Sequence, residues 1–542
     1  MNCIAMFSKF RSVAARAFPI FAALLPALLA IALFVIPASV TAQSFSGVLT
    51  WHNDNGRTGQ NLAETVLTPV NVNSAQFGKA FSFPVEGQVY AQPLYAPNVT
   101  IAGKGKHNVI YIATEHDSVY AFDADGLSQS PLWHVTFIDP PTITTMPCTS
   151  DMQPECDVTI LDPEHGITAT PVIDAAAGTI FVVAKTVESG VYMEKLHALD
   201  ITTGAERTGS PIKIEATAPG YPTVKFSGLT GVSRAALLLL NHTVYIGYAS
   251  NDDDRGWLIG YDAATLKQTR VFCVTPTGQL GGIWGGGAGP GVDSAGNIYF
   301  MTGNGSFDVN TGGASYGMSM VKLAVNGSGF TVSDYFTPYN EMELTRKDMD
   351  FASGGLVVLP DQPGAYPHEV TGGFKTGQVF MVNRDNMGKF NSTTNDVVQT
   401  ILPDKCGFWS SPAYWNGHIY LAGGGSTLFL FDLKTGHYVV PPASRASELY
   451  DYPGATPSIS ANGNSDAIVW TIENLAGNPK DNPPAVLHAY DATNVGRELY
   501  NSNQVITRDQ AGDAIKFTVP TIANGRVYIG TQTEVDVYGL LN

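Results

Sequence analysis

The chain has 542 residues, of which 44% are hydrophobic and only 14% are charged, and its net charge at pH 7 is −17. No basic cluster follows the first residues, so we exclude nucleic acid as a partner. The length also exceeds that of a domain with one ordinary core, which favours a repeat architecture in which every unit adds its own interface.

The first 42 residues have the pattern of an export signal. Basic residues precede an apolar stretch at 17–36, and small residues at 40–42 form a cleavage site. The stretch is also long enough to span a bilayer as an uncleaved anchor. Prolines within it and the cleavage pattern favour removal. The sequence therefore predicts a signal peptide at 1–42, a single domain at 43–542 and a periplasmic or secreted protein.

From Val109 onward one sequence pattern recurs eight times. It consists of an apolar strand that ends in a small residue, a short gap, and a second apolar strand that usually ends in Asp and a turn. The second strands end 47 to 77 residues apart, at Asp123, Asp200, Asp262, Leu323, Asn383, Asp432, Asp491 and Tyr538. A repeat of this length without helical periodicity predicts the blades of a β-propeller.

A short segment built around proline precedes most of these doublets, for example TATPVIDA and TVPTIANG. We interpret it as the innermost strand of a blade, where one edge is free and proline is tolerated. The last repeat ends at Tyr538 without an outer strand, and we assign Lys79 to Val85 to that place. The predicted fold is all-β: an eight-bladed β-propeller of four-stranded antiparallel blades, closed by an N-terminal strand.

Four of the five cysteines follow the predicted signal peptide. Cys148 and Cys156 lie in one long loop between the first two blades and are placed to form a disulfide in an oxidising compartment. Cys273 and Cys406 are far apart in sequence, and they either pair or remain buried thiols. No Cys-x-x-Cys-His motif is present, which excludes a c-type haem.

The segment from Gly278 to Phe307 is unusually rich in glycine and contains Trp284. Glycine lets a backbone approach another group closely, and tryptophan offers a flat apolar face, so the segment is a candidate ligand site. The alternative is a tight inner loop whose tryptophan plugs the channel. A dinucleotide site is not predicted, because no helix follows the glycines.

At this segment the chain resembles the quinoprotein alcohol dehydrogenases, eight-bladed propellers that bind pyrroloquinoline quinone (PQQ) and usually calcium. In that family a glycine pair precedes a tryptophan on which the quinone stacks, and an Asn in a following Gly-x-Gly-Asn strand end binds the metal. Gly281, Gly282, Trp284 and Asn304 match these features.

Three further positions match the family in chain order. Glu188 corresponds to a metal-binding glutamate, Asp350 to the catalytic aspartate, and Lys375 to a basic residue at the quinone oxygens. The resemblance thus implies Trp284 and Lys375 as cofactor contacts, Asp350 as general base, and a calcium ion bound by Glu188, Asn304 and Asp350.

Each of these matches also has an ordinary interpretation. Glu188 beside Ser-Gly is typical of a solvated hairpin, and Asp350 is close in sequence to two basic residues with which it can form a surface ion pair. Lys375 and Asn304 both sit at sequences typical of turns.

Two functions follow from these patterns. The resemblance implies an exported PQQ- and calcium-dependent dehydrogenase that oxidises an alcohol or sugar and passes electrons to an external acceptor. The family's adjacent cysteine pair is absent, however, and Met349 replaces the tryptophan before the catalytic aspartate. The alternative is therefore a non-catalytic propeller of the cell envelope, acting as a protein-interaction scaffold or carbohydrate-binding module.

Overall fold

The computed structural model describes residues 47–149, 161–250, 254–327, 329–474 and 483–541. The predicted signal peptide and Cys156 lie outside these residues. Within the described part, we find no helix with the length and apolar character that a bilayer crossing requires.

Eight blades of antiparallel strands follow one another along the described chain and confirm the predicted propeller. The first four blades contain Leu94–Ile101, Gly105–Thr114, Ser118–Asp123 and Trp133–Thr136; Val172–Asp174, Thr179–Glu188, Val191–Asp200 and Ile212–Lys213; Leu238–Leu240, Thr243–Ser250, Trp257–Asp262 and Gln268–Cys273; and Gly291–Val292, Ile298–Met301, Met320–Asn326 and Gly329–Thr337. The last four contain Leu356–Val358, Glu369–Gly373, Val379–Asn383 and Gln399–Ile401; Ala413–Trp415, His418–Ala422, Leu428–Lys434 and Ser444–Arg445; Ser458–Asn462, Ser465–Glu473, Val486–Asp491 and Asn494–Asn501; and Thr521–Ala523, Arg526–Gly530, Glu534–Leu540 and Phe77–Pro84.

A few short elements lie outside the four main strands of each blade. The extra strands are Gln60–Asn61, Ile143–Pro147, Glu164–His165, Thr217–Ala218, Tyr221–Lys225, Gly231–Val232, Lys389–Phe390 and His437–Tyr438. The helices of the described residues are the 3₁₀ turns Gly285–Gly287 and Val309–Thr311 and the short α-helices Glu341–Arg346 and Ile506–Asp509. Helix therefore contributes little to the core, which lies between the faces of adjacent blades.

The repeated aspartates act as predicted in the turns after the third strands. Asp123 Oδ1 accepts a hydrogen bond from the Asp125 amide at 2.9 Å, and Asp200 Oδ1 accepts one from the Thr202 amide at 2.8 Å. These bonds hold each turn in a fixed shape before the outer strand begins.

The ring is closed by an N-terminal strand, as the sequence predicts. Phe77–Pro84 pairs antiparallel with Glu534–Leu540, and Lys79 lies opposite Tyr538. The strand begins two residues before the predicted start at Lys79. Lys79 Nζ contacts Asp536 Oδ1 at 2.5 Å, so an ion pair also joins this strand to the third strand of the eighth blade.

Residues 47–61, here called the inner ring, run past the innermost strand of every blade, an arrangement that the sequence analysis does not predict. In blade order, the hydrogen bonds are Val48 N to Tyr95 O, Ile173 N to Leu49 O, Asn55 Nδ2 to Leu239 O, Val292 N to Asn55 O, Val358 N to Gly56 O, Tyr414 N to Thr58 O, Ile459 N to Gly59 O and Asn61 Nδ2 to Ile522 O, all between 2.7 and 3.0 Å. The inner ring thus satisfies inner-edge polar groups of all eight blades.

Arg57 anchors the inner ring. Its buried guanidinium donates hydrogen bonds to Pro290 O at 3.0 Å, Thr50 Oγ1 at 2.8 Å, Trp51 O at 3.0 Å and Leu237 O at 3.4 Å. Burial lowers the pKa of Arg57 to about 10, so the side chain remains a cation at neutral pH. One side chain therefore binds the inner ring to the third and fourth blades.

Candidate functional site

A cavity of about 160 Å³ lies on the propeller axis, where segments leading into the later blades converge. Its polar lining comprises Arg234, Asp350, Ser353 and Lys375, and its aromatic lining comprises Trp284, Trp409, Tyr452 and Phe517. Segments that enter an inner strand and turns between second and third strands necessarily lie at the same end of an antiparallel blade. The side chains therefore meet although they span almost 300 residues of sequence.

The inner ring packs close to this cavity. Trp51 of the inner ring packs against Ala236, Ala288 and Val519. Ala236 and Ala288 are each two residues from the cavity-lining positions Arg234 and Gly286.

Glycines bring the Trp284 segment close to its neighbours, as its composition predicts. A Cβ at Gly286, whose φ is +58°, would lie 2.1 Å from Trp409 O. A Cβ at Gly303 would lie 2.6 Å from Asp350 Oδ1 and 3.2 Å from Trp284 Cδ1. These two positions therefore require glycine if the indole and the carboxylate are to share one cavity wall.

Asp350, Lys375 and Asn304 form one hydrogen-bonded group beside Trp284. Lys375 Nζ contacts Asp350 Oδ2 at 2.6 Å, and the Asn304 amide donates to Asp350 Oδ1 at 2.8 Å. Asp348 Oδ1 and Oδ2 accept from Asn304 Nδ2 at 2.6 Å and from Lys375 Nζ at 3.0 Å. The ion partner of Asp350 is therefore Lys375, while Lys347, the neighbour in sequence, pairs with Glu343 at 2.6 Å.

The charge of Lys375 is stabilised by its carboxylate neighbours. Burial alone would lower the pKa of Lys375, but the carboxylates of Asp350 and Asp348 outweigh that effect and raise it above its ordinary value. The side chain is thus a fixed ammonium at neutral pH, in position to stabilise negative charge that develops nearby.

Glu188 is not part of this group. It ends the second strand of blade two, where its carboxylate contacts Lys195 Nζ and accepts a hydrogen bond from Thr186 Oγ1 at 3.1 Å. It does not line the cavity. Of the five residues singled out from sequence, Trp284, Asn304, Asp350 and Lys375 come together, and Glu188 is placed in a hairpin ion pair.

The oxygen atoms near Asn304 fit a cation only in part. Asn304 Oδ1 is buried and accepts no hydrogen bond from a described residue, which is the state expected of an atom that awaits a donor or a metal. Asp348 and Asp350 supply further oxygens. However, Lys375 already forms ion pairs with both carboxylates, which weakens their attraction for a cation. The described residues also contain no group of three His, Cys, Asp or Glu side chains able to hold a metal.

Arg234 is a cavity residue that the sequence analysis does not single out. Its guanidinium is almost fully buried, and lies 4.6 Å from the ring centroid of Phe517 and 5.8 Å from that of Tyr90. No carboxylate of the described residues forms an ion pair with it, and its Nη2 has no hydrogen-bond partner among them. The sequence feature that points to Arg234 is its isolated position in the apolar segment VSRAALLLL.

The structure decides whether the two cysteines that are distant in sequence form a disulfide. Cys273 and Cys406 are both free thiols and do not pair with each other. Cys148 is buried and disulfide-bonded, while Cys156, its predicted partner, lies outside the described residues.

Comparisons with known proteins support the fold and nothing more specific. No protein-family model matches the chain, and no curated protein matches it. Among solved structures, a europium-containing methanol dehydrogenase is similar over 91% of this chain and 98% of its own, with a TM-score of 0.56 and 12% identity. BamB from Moraxella catarrhalis is similar over 85% of this chain and 97% of its own, with a TM-score of 0.47 and 13% identity.

Proposed function

We propose that the chain is an exported dehydrogenase that binds PQQ in the axial cavity and oxidises an alcohol or a sugar. The observation that carries this proposal is the carboxylate of Asp350, held between Lys375 and the Asn304 amide at the edge of a cavity walled by aromatic rings. The general likeness of the fold to a methanol dehydrogenase is compatible with it.

The cavity lining suits a planar, anionic cofactor. PQQ is a fused aromatic ring system with three carboxylates, so it needs flat apolar surfaces and cations. Trp284 and Trp409 supply aromatic surface, and Arg234 and Lys375 supply two buried or half-buried positive charges. Because Arg234 has no carboxylate partner among the described residues, a carboxylate of the ligand would fill that role.

When bound, the quinone supplies a hydride acceptor that no side chain can provide. Asp350 is placed to accept the hydroxyl proton of the substrate at its carboxylate, since its two oxygens are oriented by the Asn304 amide and by Lys375 Nζ. Lys375 keeps its own proton and holds a positive charge at the site. The aromatic residues exclude water from the reacting groups.

For calcium, Asn304 Oδ1 and the carboxylates of Asp348 and Asp350 are the residues that would hold the ion. Glu188 is excluded from our proposed set because its contacts lie in the blade-two hairpin. With only one neutral oxygen and two carboxylates that Lys375 already neutralises in part, we propose weak calcium binding that strengthens when the ligand adds its own oxygens.

Reconstitution tests the proposal. The protein, freed of residues 1–42, is titrated with PQQ, with and without calcium, while tryptophan fluorescence is followed, and dye reduction is then assayed with a panel of alcohols and aldoses. We expect quenching on PQQ addition and turnover of at least one substrate. Absence of both overturns the proposal, and saccharide binding without PQQ binding supports the carbohydrate-binding alternative instead.

Trp284→Leu is expected to weaken PQQ binding by roughly tenfold or more, because an aromatic stack and the associated buried surface contribute about 1–3 kcal/mol. Trp284→Phe is the matched control, since it retains an aromatic face, and should recover most of the affinity. Isothermal titration calorimetry measures both. Equal affinities for the wild type and the leucine variant would exclude Trp284 as the stacking surface.

A further inference from the structure

A second group of ionisable side chains is buried next to Arg234, away from Asp350. Glu115 and Asp117, here called the acid pair, occupy the turn between the second and third strands of blade one. His165 and, from blade two, Lys185 and Glu194 surround them, and all five side chains are at most 1% exposed. Such burial is costly unless each charge is compensated or removed by protonation.

The opposite charges of Lys185 and Glu194, both in blade two, compensate one another. Lys185 Nζ lies 3.3 Å from Glu194 Oε1 and donates to Leu229 O at 3.0 Å and Gly231 O at 2.6 Å. Tyr248 donates to the other Glu194 oxygen at 3.5 Å. The closest carboxylate to the Lys185 ammonium is therefore Glu194, although the charge of Asp117 also acts on it.

The acid pair is not compensated in this way. Glu115 Oε2 accepts hydrogen bonds from the Gly166 amide at 2.8 Å and Thr168 Oγ1 at 3.0 Å, but Glu115 Oε1 accepts none from the described residues. Neither oxygen of Asp117 accepts a well-formed hydrogen bond there, although the Lys185 amide lies near enough to lower its pKa. No described cation forms an ion pair with either carboxylate.

Burial therefore raises the pKa of both acids. The pKa of Glu115 rises to about 7, against the opposing effects of its hydrogen bonds and of the Arg234 charge. Burial and the negative charges of Glu115, Glu194 and Glu164 raise the pKa of Asp117 well above its ordinary value. Both shifts favour the protonated form of the acid pair over the ionised form.

Arg234 connects this pair to the cavity. It lines the cavity, its charge acts on Glu115, and it has no closer carboxylate partner among the described residues. Its field therefore stabilises the ionised form of Glu115 while the cavity holds no anion.

We propose that the acid pair is a proton-binding site that fills when a carboxylate-bearing ligand occupies the cavity against Arg234. The ligand's negative charge cancels the effect of Arg234 on Glu115, so the pKa of Glu115 rises from about 7 and a proton is taken up. At pH 7 the uptake should be a fraction of one proton per ligand, since a group near its pKa is already partly protonated before the ligand binds.

Glu164 and the half-exposed His116 are titratable neighbours of the acid pair on the side toward solvent. Glu164 acts on both members of the acid pair, and its carboxylate lies 3.0 Å from His116 Nδ1. His116 is 38% exposed, and its Nε2 lies 3.9 Å from the exposed carboxylate of Glu86. His165, the remaining titratable neighbour, has a pKa that burial lowers well below its ordinary value, so it stays neutral and does not compete for the proton.

The coupling, which rests on the proposed PQQ binding, is measured by calorimetric titration of PQQ at pH 7 in buffers of different ionisation enthalpy. We expect the wild type to take up a measurable fraction of a proton and Glu115→Gln to take up essentially none. Glu369→Gln is the matched control, because Glu369 is equally buried and burial raises its pKa to about 8, yet it lies in blade five beside Arg384. Equal uptake by the wild type and Glu115→Gln overturns the inference.

A measurement without PQQ separates this inference from the proposed function. Infrared titration of the ligand-free protein should show, in addition to the band of Glu369, a protonated carboxylic acid band near pH 7 that Asp117→Asn removes. Arg234→Gln should move the Glu115 midpoint upward, whereas Arg234→Lys should keep it near the wild-type value. If the band is absent, or if the midpoint is the same in all three proteins, the acid pair is not a proton site governed by Arg234, whatever PQQ does.

Discussion

Asp350→Asn is expected to reduce kcat by roughly 10²- to 10⁴-fold, the usual contribution of a positioned general base. The amide retains the shape of the carboxylate, so it can still accept the Asn304 hydrogen bond, but it cannot take the substrate proton. The affinity for PQQ should change far less than kcat, because the proposed aromatic and Arg234 contacts are untouched and Lys375 keeps its contact with Asp348. Dye-reduction kinetics and a fluorescence titration on the same preparation measure the two quantities.

Asp361→Asn serves as the control for this experiment. Asp361 is 76% exposed in the same blade-five region and has only a long contact of 3.8 Å to His368. Its substitution should leave both kcat and affinity unchanged. Turnover by Asp350→Asn close to that of this control would remove Asp350 from the proposed mechanism.

Arg57→Ala is expected to lower the free energy of unfolding by about 3 kcal/mol or more. The substitution leaves buried carbonyl oxygens of Pro290 and Leu237 without their donor and opens a void in the inner ring, and each such unsatisfied group costs about 1–3 kcal/mol. Urea denaturation followed by circular dichroism measures the change.

Arg497→Ala is the matched control for Arg57. Its side chain is 60% exposed and makes one ion pair with Asp491 at 3.1 Å, which contributes at most about 1 kcal/mol. If the two variants unfold at the same urea concentration, the inner ring does not stabilise the propeller as its hydrogen bonds suggest.

The repeat pattern was sufficient to predict the propeller because each blade carries the same local signals. Paired apolar strands and the Asp turns recur with every blade, and the unpaired final repeat at Tyr538 predicted a strand from the other end of the chain. The inner ring was not predictable in this way. Its partners are mostly backbone groups, and its own sequence has neither the alternation of a strand nor the period of a helix.

The site was predictable only where its signal is local. The glycines around Trp284 and the spacing to Asn304, Asp350 and Lys375 are visible in the sequence, and the structure brings those four residues together. Arg234 was missed because a single arginine in an apolar run does not reveal what it faces. Glu188 was chosen from its position before an Asp turn, but that position does not specify whether a long hairpin directs a side chain toward the axis.

The inner ring has a consequence for the order in which the protein assembles. These residues are synthesised before every blade, yet their partner Ile522 belongs to the eighth blade, which is the last blade to be synthesised. The early segment must therefore wait without a complete set of partners until the eighth blade arrives. The ring of blades is thus completed only at a late stage of folding. A nascent chain that stops short of the eighth blade leaves its inner-ring segment exposed to proteases.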